Sequence, residues 1–173
     1  RRSDTGVVDV LFSTSSTSPT MPASYDQSRR IGTIRTNGSG VIRPFKQWND
    51  NFEWSGDSLR DLTTTSPATT ATLLTVTVPP ISGVMWVGWI YVLTGVAAQR
   101  YVSIASGDTA DWTVASGTGR AFALTNPFVL AQAVITADAV VNASGQIKYA
   151  ASHATDISVV IDTKGWIDTR GRS

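Results

Sequence analysis

Cysteine is absent from the 173 residues, so neither disulfides nor thiolate metal sites can stabilise the fold, and redox chemistry does not reveal the compartment. Histidine occurs once, at His153, which excludes any site requiring two imidazoles. The trio Ser152, His153 and Asp156 has hydrolase composition. Adjacent strand positions point to opposite faces, however, and nothing around the serine has the form of a nucleophile elbow, so a structural or exposed histidine is expected. Glu53 is the sole glutamate, and lysine is confined to Lys46, Lys148 and Lys164. Those two types clothe the solvent faces of helices, whereas Asp, Ser and Thr belong to turns, caps and strands. Ser and Thr make up about a quarter of the chain, above the globular average. A chain so poor in helix-surface residues is expected to be all-β.

Long apolar runs are also missing. The longest, Val84 to Leu93, falls short of the roughly 20 residues of a membrane helix, so no membrane insertion is expected and the run reads as a buried strand. A net charge of +1 is too small for a nucleic-acid surface.

What is present is strand patterning. Thr72–Val78 alternates apolar and polar until Pro79-Pro80, with Leu74, Val76 and Val78 as its apolar face. Strand-like runs follow at Val84–Leu93, Arg100–Ala105, Ala121–Thr125, Phe128–Thr136, Ala139–Asn142, Gln146–Ala151 and Asp156–Asp162. Turn chemistry separates them at Ala105–Asp108, Ser116–Gly119 and Asn142–Gly145. Such spacing marks a sandwich or barrel. Residues 1–173 are therefore expected to form a single antiparallel β-sandwich domain of jelly-roll type. Its core should hold Leu74, Val76, Val78, Trp86, Ile104, Val134, Val159 and Ile161, with Trp89 beside Trp86. Asn49–Asp61 reads as a polar connection with room for one helical turn, and Thr63–Pro67 as a loop or edge strand. A turn signal at Ser3–Gly6 with only two residues ahead implies a missing strand. The chain is thus expected to be the C-terminal part of a longer one, with Arg1–Ser3 the tail of that strand.

The most specific segment is Tyr25–Trp48, YDQSRRIGTIRTNGSGVIRPFKQW. Arg30–Thr36 and Val41–Trp48 flank Asn37-Gly38-Ser39-Gly40, where Asn and Gly supply the positive φ of a tight turn, so a β-hairpin is expected. A three-residue turn would set Ile34 opposite Ile42 and Ile31 opposite Phe45, the best apolar matches; turns of two or four residues would give other pairs. Val141–Lys148 echoes Thr36–Arg43, as two hairpins sharing one turn would.

Together with Asp4–Ser15 (DTGVVDVLFSTS) and Gly165–Arg172 (GWIDTRGR), this segment resembles a group of bacteriophage and prophage virion proteins. There, patterns like TGxVDVLFSTS, LPxxYxxxRRIGxIRTxGSGxIRPF and a terminal GWIDTRGR occur in tail-fibre or collar-type reading frames. Both ends of the chain match. Leu59–Ser158 resembles the group in pattern more than in letters, and Met21-Pro22 stands where Leu-Pro is usual. The resemblance implies a component of the virion tail, collar or capsid exterior and carries no catalytic signature. By analogy with such proteins, a homotrimer or higher ring in contact with other virion proteins is expected.

Candidate contacts follow from residue chemistry. Trp54, Asp108, Asp111 and Trp112 lie in polar surroundings and could bind a host-surface glycan, indole faces stacking on sugar rings. Glycan cleavage needs two carboxylates held across a bond, and the acids here read mainly as turn residues; no enzyme, cofactor or metal site is expected. Arg29, Arg30, Arg35 and Arg43 gather on the hairpin with Trp48, and their planar forks suit the carboxylates of a neighbouring subunit. The expected function is structural: a tail-fibre, spike or collar component mediating assembly and host attachment. A glycan-binding recognition module and a glycan-degrading tailspike enzyme are the alternatives.

Overall fold

The computed structural model describes residues 1–15, 17–114, 121–124 and 132–170, with 121–124 described by backbone alone. The chain divides into two compact units, Arg1–Thr33 and Ile34–Ser173.

The first unit contains no strand or helix among its described residues. The amides of Asp26 and Gln27 donate to the Arg1 carbonyl (3.3 and 3.2 Å), and the Ser3 amide donates to Asp26 Oδ1 at 2.9 Å, so Asp4 to Tyr25 form a loop closed at its neck. The Ser3–Gly6 turn forms, with Gly6 at φ 72° and its amide on the Arg2 carbonyl at 2.9 Å. Arg1–Ser3 therefore meets Asp26 and Gln27 but does not become a strand.

All ten strands among the described residues lie in the second unit, and every pairing is antiparallel. They are β1 (Phe45–Trp48), β2 (Asn51–Trp54), β3 (Leu59–Thr64), β4 (Thr72–Thr75), β5 (Met85–Thr94), β6 (Tyr101–Ser106), β7 (Ala121–Leu124), β8 (Gln132–Val140), β9 (Gln146–Ala151) and β10 (Ile157–Ile167). A six-stranded sheet runs β1-β2-β10-β5-β8, with β3 also on β10, and packs against a four-stranded sheet, β4-β9-β6-β7. The fold is an all-β sandwich. Its last eight strands pair in a nested order, β3 with β10, β4 with β9, β5 with β8 and β6 with β7.

β10 is the spine of the larger sheet. One edge follows β5 from Ile157 to Ile167. The other is shared, Val159–Thr163 pairing with β3 and Gly165–Ile167 with β2. Period-2 alternation sorts the side chains: Trp86, Ile90, Val92, Val159, Ile161 and Trp166 enter the core, with Val102, Ile104, Ile147 and Tyr149 facing them from the second sheet. Val76, Val78 and Ile104 are buried as expected, and Leu74 is half-buried.

Alternation also corrects two assignments. Trp89 is three residues from Trp86, an odd step that puts it on the outer face, where it is half-buried. Val134 shares that face and is 44% exposed. The hairpin is corrected too. Thr36 bridges Ile42, two residues out of the apolar register, and Phe45–Trp48 pairs forward with β2 around Asn49-Asp50. Asn49 takes φ 54° there, a conformation Asn tolerates, so Asn49–Asp61 carries two strand segments and no helical turn. Ala139–Asn142 does not form a strand of its own: Ala139 and Val140 end β8, while Phe128–Ala131 and Ser116–Gly119 lie outside the described residues.

The echo is one turn used twice. Asn37 Oδ1 accepts the amides of Ser39 and Val41, and Asn142 Oδ1 those of Ser144 and Gln146. Gly40 and Gly145 stand at φ 77° and 71°, where a Cβ would be strained. At the second site the turn carries the chain from one sheet to the other.

Candidate functional site

The terminal motif builds architecture. Trp166, 1% exposed, stacks on Phe52 with centroids 4.9 Å apart and meets Trp54 at 4.8 Å and Phe45 at 5.9 Å. A Cβ on Gly165 would lie 2.0 Å from the Phe52 carbonyl oxygen, so only glycine lets β10 and β2 approach. The Asp168 amide donates to the Asp50 carbonyl at 2.9 Å, Asp168 Oδ1 accepts the Arg170 amide at 2.8 Å, and the Arg170 guanidinium pairs with the Asp50 carboxylate. Gly171 and Arg172 lie outside the described residues. Trp54 belongs to this cluster: it is 4% exposed and its Nε1 donates to the Thr77 carbonyl at 3.1 Å. Its faces are covered, so it is not a sugar-stacking residue.

A second constellation is polar and half-buried, and its centre, Asp61, is absent from the sequence-level candidates. In the β3–β10 ladder Ile161 faces Leu62 and Asp162 faces Arg60, leaving Asp61 as the extra residue of a β-bulge; bulges re-aim side chains. Asp61 accepts the Thr77 hydroxyl at 2.6 Å and that of Thr163. Thr163 in turn accepts Trp86 Nε1 at 2.7 Å. Burial pushes the Asp61 carboxyl above its ordinary range, against the two hydroxyls and the Arg35 charge, which pull it down. The Arg35 guanidinium donates to the carbonyls of Val76 (3.0 Å) and Val78, and burial lowers its own pKa. Arg35 is thus half-buried and committed to two carbonyls of its own chain, which removes it from the interface set. Sequence offered no signal for this site, because two residues facing one on the partner strand is a property of pairing.

The remaining arginines are divided. Arg29 is exposed and Arg30 half-buried in the first unit; Arg43, half-buried in the second, donates its amide to the Arg35 carbonyl at 3.4 Å. Trp48 is 48% exposed at the end of β1.

Asp108, Asp111 and Trp112 share one loop. Trp112 Nε1 donates to Ser103 Oγ at 2.7 Å. Ser103 alternates with the core residues Val102 and Ile104, so the indole lies over the outer face of the smaller sheet. Asp111 pairs with Lys148 Nζ at 2.5 Å, and Asp108 is exposed. The loop and Trp54 do not form one surface. His153 is exposed, and Ser152 Oγ accepts the Tyr101 amide at 3.0 Å.

The surface with most binding potential is the outer face of the six-stranded sheet. Met85, Val87, Trp89, Tyr91 and Leu93 alternate with the core residues of β5, and Tyr91 stands opposite both Val134 and Val160. Val140 and Ile167 flank Met85 in the same way. Charged groups interrupt this apolar field at its middle, where Asp138 also stands opposite Val87. Asp162, beside Trp89 in the ladder, accepts Arg60 Nε at 3.0 Å, and Lys164 Nζ lies 5.8 Å from the Trp89 ring and 3.6 Å from Glu53. At the Leu93 end lies an open depression of about 390 Å³, lined by Thr65, Leu93, Gln132, Asp156 and Ser158 among others. No family model matches the chain, and a search of curated proteins returns no match.

Proposed function

We propose that this chain is a non-enzymatic structural domain of a phage virion, a tail-fibre, spike or collar component that assembles with copies of itself, as a homotrimer or higher ring, through the outer face of the six-stranded sheet. The observation that carries the assembly reading is that face, a row of five apolar and aromatic side chains from Met85 to Leu93 flanked by Val134, Val140, Val160 and Ile167, with Asp138 and Asp162 beside Val87 and Trp89; an apolar patch bordered by polar residues marks an interaction surface. The nested pairing of β3 to β10 supports the virion reading by analogy: we read it as a jelly-roll winding, which viral capsid and lectin domains use. The C-terminal motif that carries part of the phage resemblance fits a structural role, since Gly165, Trp166, Asp168 and Arg170 hold the sandwich together.

Tyr91→Ser with Val134→Asp tests the assembly reading. The pair should shift the light-scattering mass to that of a monomer with the β-type circular dichroism unchanged. Wild-type protein that is already monomeric at high micromolar concentration would overturn it.

A second reading, host-glycan recognition, draws on the same face. Trp89 and Tyr91 beside Arg60, Asp162, Lys164 and Glu53 combine aromatic surface with hydrogen-bonding groups, the mixture a sugar requires. Binding to a host-polysaccharide array that Trp89→Ala abolishes, with mass unchanged, would favour it.

A further inference from the structure

The loop of the first unit holds a strand sequence that pairs with no strand among the described residues. Val7-Val8-Asp9-Val10-Leu11-Phe12 is dominated by β-branched and aromatic residues, which favour strands, and all six are exposed. In extended backbone Val8, Val10 and Phe12 share one face; they are 74%, 65% and 77% exposed. Val7 and Leu11, on the opposite face with Asp9, are 50% and 46% exposed. The Val7 carbonyl accepts the Arg2 amide. Beyond it, the backbone of Val8–Phe12 has one hydrogen bond among the described residues, from the Val10 amide to the neighbouring Asp9 carboxylate.

The larger sheet has a complementary lack. β8, nine residues long, is its terminal strand, and among the described residues no strand pairs with its second edge. Such an edge is a template for another strand. Its outward side chains are Gln132, Val134, Thr136, Asp138 and Val140, the two valines 44% and 41% exposed, so a strand added there would extend the outer face and could cover both valines.

We propose that Val7–Phe12 of one copy adds as a further strand to the β8 edge of a second copy, with Val8, Val10 and Phe12 continuing the outer face beside Val134 and Val140. This rests on the homo-oligomer reading above and specifies how the copies join. Donor and acceptor belong to the same chain, so each copy can give one arm and receive one, and a head-to-tail contact of this kind forms a ring when its rotation closes. About seven residues separate Val10 from the neck at Ser3, a reach of roughly 20 Å. Five apolar side chains per arm, each covering on the order of 100 Å², with a comparable loss from the acceptor edge, bring the contact to about 1,000 Å², where specific interfaces begin. Asp9 falls on the other face, at the open rim of the sandwich, where it stays hydrated.

The cysteine-free sequence makes the test clean. Val10→Cys combined with Thr136→Cys in the full chain should give an intermolecular disulfide on mild oxidation, seen as covalent oligomer on a non-reducing gel. Val10→Cys with Leu73→Cys, on the outer face of the smaller sheet, should not. Val10→Pro removes the ladder amide and fixes φ in an exposed loop, so it should reduce the mass to that of a monomer with unaltered circular dichroism. If wild type assembles but Val10→Pro keeps its mass and the Thr136 pair fails to cross-link, arm addition is refuted while assembly through the sheet face stands. Cross-linking through Leu73 instead would refute it by naming another edge. A monomeric wild type would refute both.

Discussion

Trp86 and Trp166 offer a matched pair in which one chemical change should have two different costs. Both are fully buried, at 0% and 1% exposure, and they face each other across β5 and β10. Trp86 Nε1 donates to Thr163 Oγ1 at 2.7 Å, whereas Trp166 Nε1 is buried with no acceptor among the described residues. Replacing either by Phe removes roughly 40 Å³, a cavity term of about 1 kcal/mol at about 24 cal/mol per Å³. Lost apolar transfer adds about 1 kcal/mol. At Trp86 the change also breaks a satisfied bond, about 1 kcal/mol more, for a total of about 3. At Trp166 it relieves an orphaned donor whose desolvation costs about 1–3 kcal/mol, leaving a net change of about −1 to +1. Urea unfolding followed by circular dichroism should therefore separate the variants by at least about 2 kcal/mol, and thermal melts by at least about 6 °C for a domain of this size. Equal costs, or a larger cost for Trp166→Phe, would refute the assignment of one indole as bonded and the other as orphaned.

Asp61 should leave a pH signature. Its folded pKa is raised above the ordinary 3.8 by burial, so the folded state holds the proton more tightly than the unfolded chain. Stability from this group is present below 3.8 and is lost as pH rises through the folded pKa. Wild type should lose stability relative to Asp61→Asn as pH increases across that window, measured by urea midpoints; a pH-independent difference would contradict the burial argument. Gly165→Ala should cost about 3 kcal/mol or more, because the new methyl meets backbone, the Phe52 carbonyl oxygen and Glu53 Cα, which cannot rotate away. A melting temperature within a degree of wild type would show that β2 and β10 are not packed this closely.

Composition and period determined the fold class. Scarce Glu and Lys left no helix surface, and the alternation in Thr72–Val78, Gln146–Ala151 and Ile157–Ile161 marked strands wherever one face meets the core. The two Asn-x-Ser-Gly turns were legible because their hydrogen bonds are local: an Asn side chain caps the next few amides, and a glycine accepts the left-handed backbone. Tertiary pairing decided the rest. Trp54 sat among polar letters and read as a surface residue, yet β2 alternates it into the aromatic cluster around Trp166. Trp89 sat among apolar letters and read as core, yet strand parity turned it outward. Arg35 had the chemistry of an interface, and its fork was taken by two carbonyls of its own chain. The Asp61 bulge existed in no local pattern, since it appears only when β3 is laid against β10. A sequence records each residue's type and its neighbours along the chain. Which face that residue presents, and what it touches, depends on a register set by strands up to about a hundred residues away, and a shift of one residue reverses both.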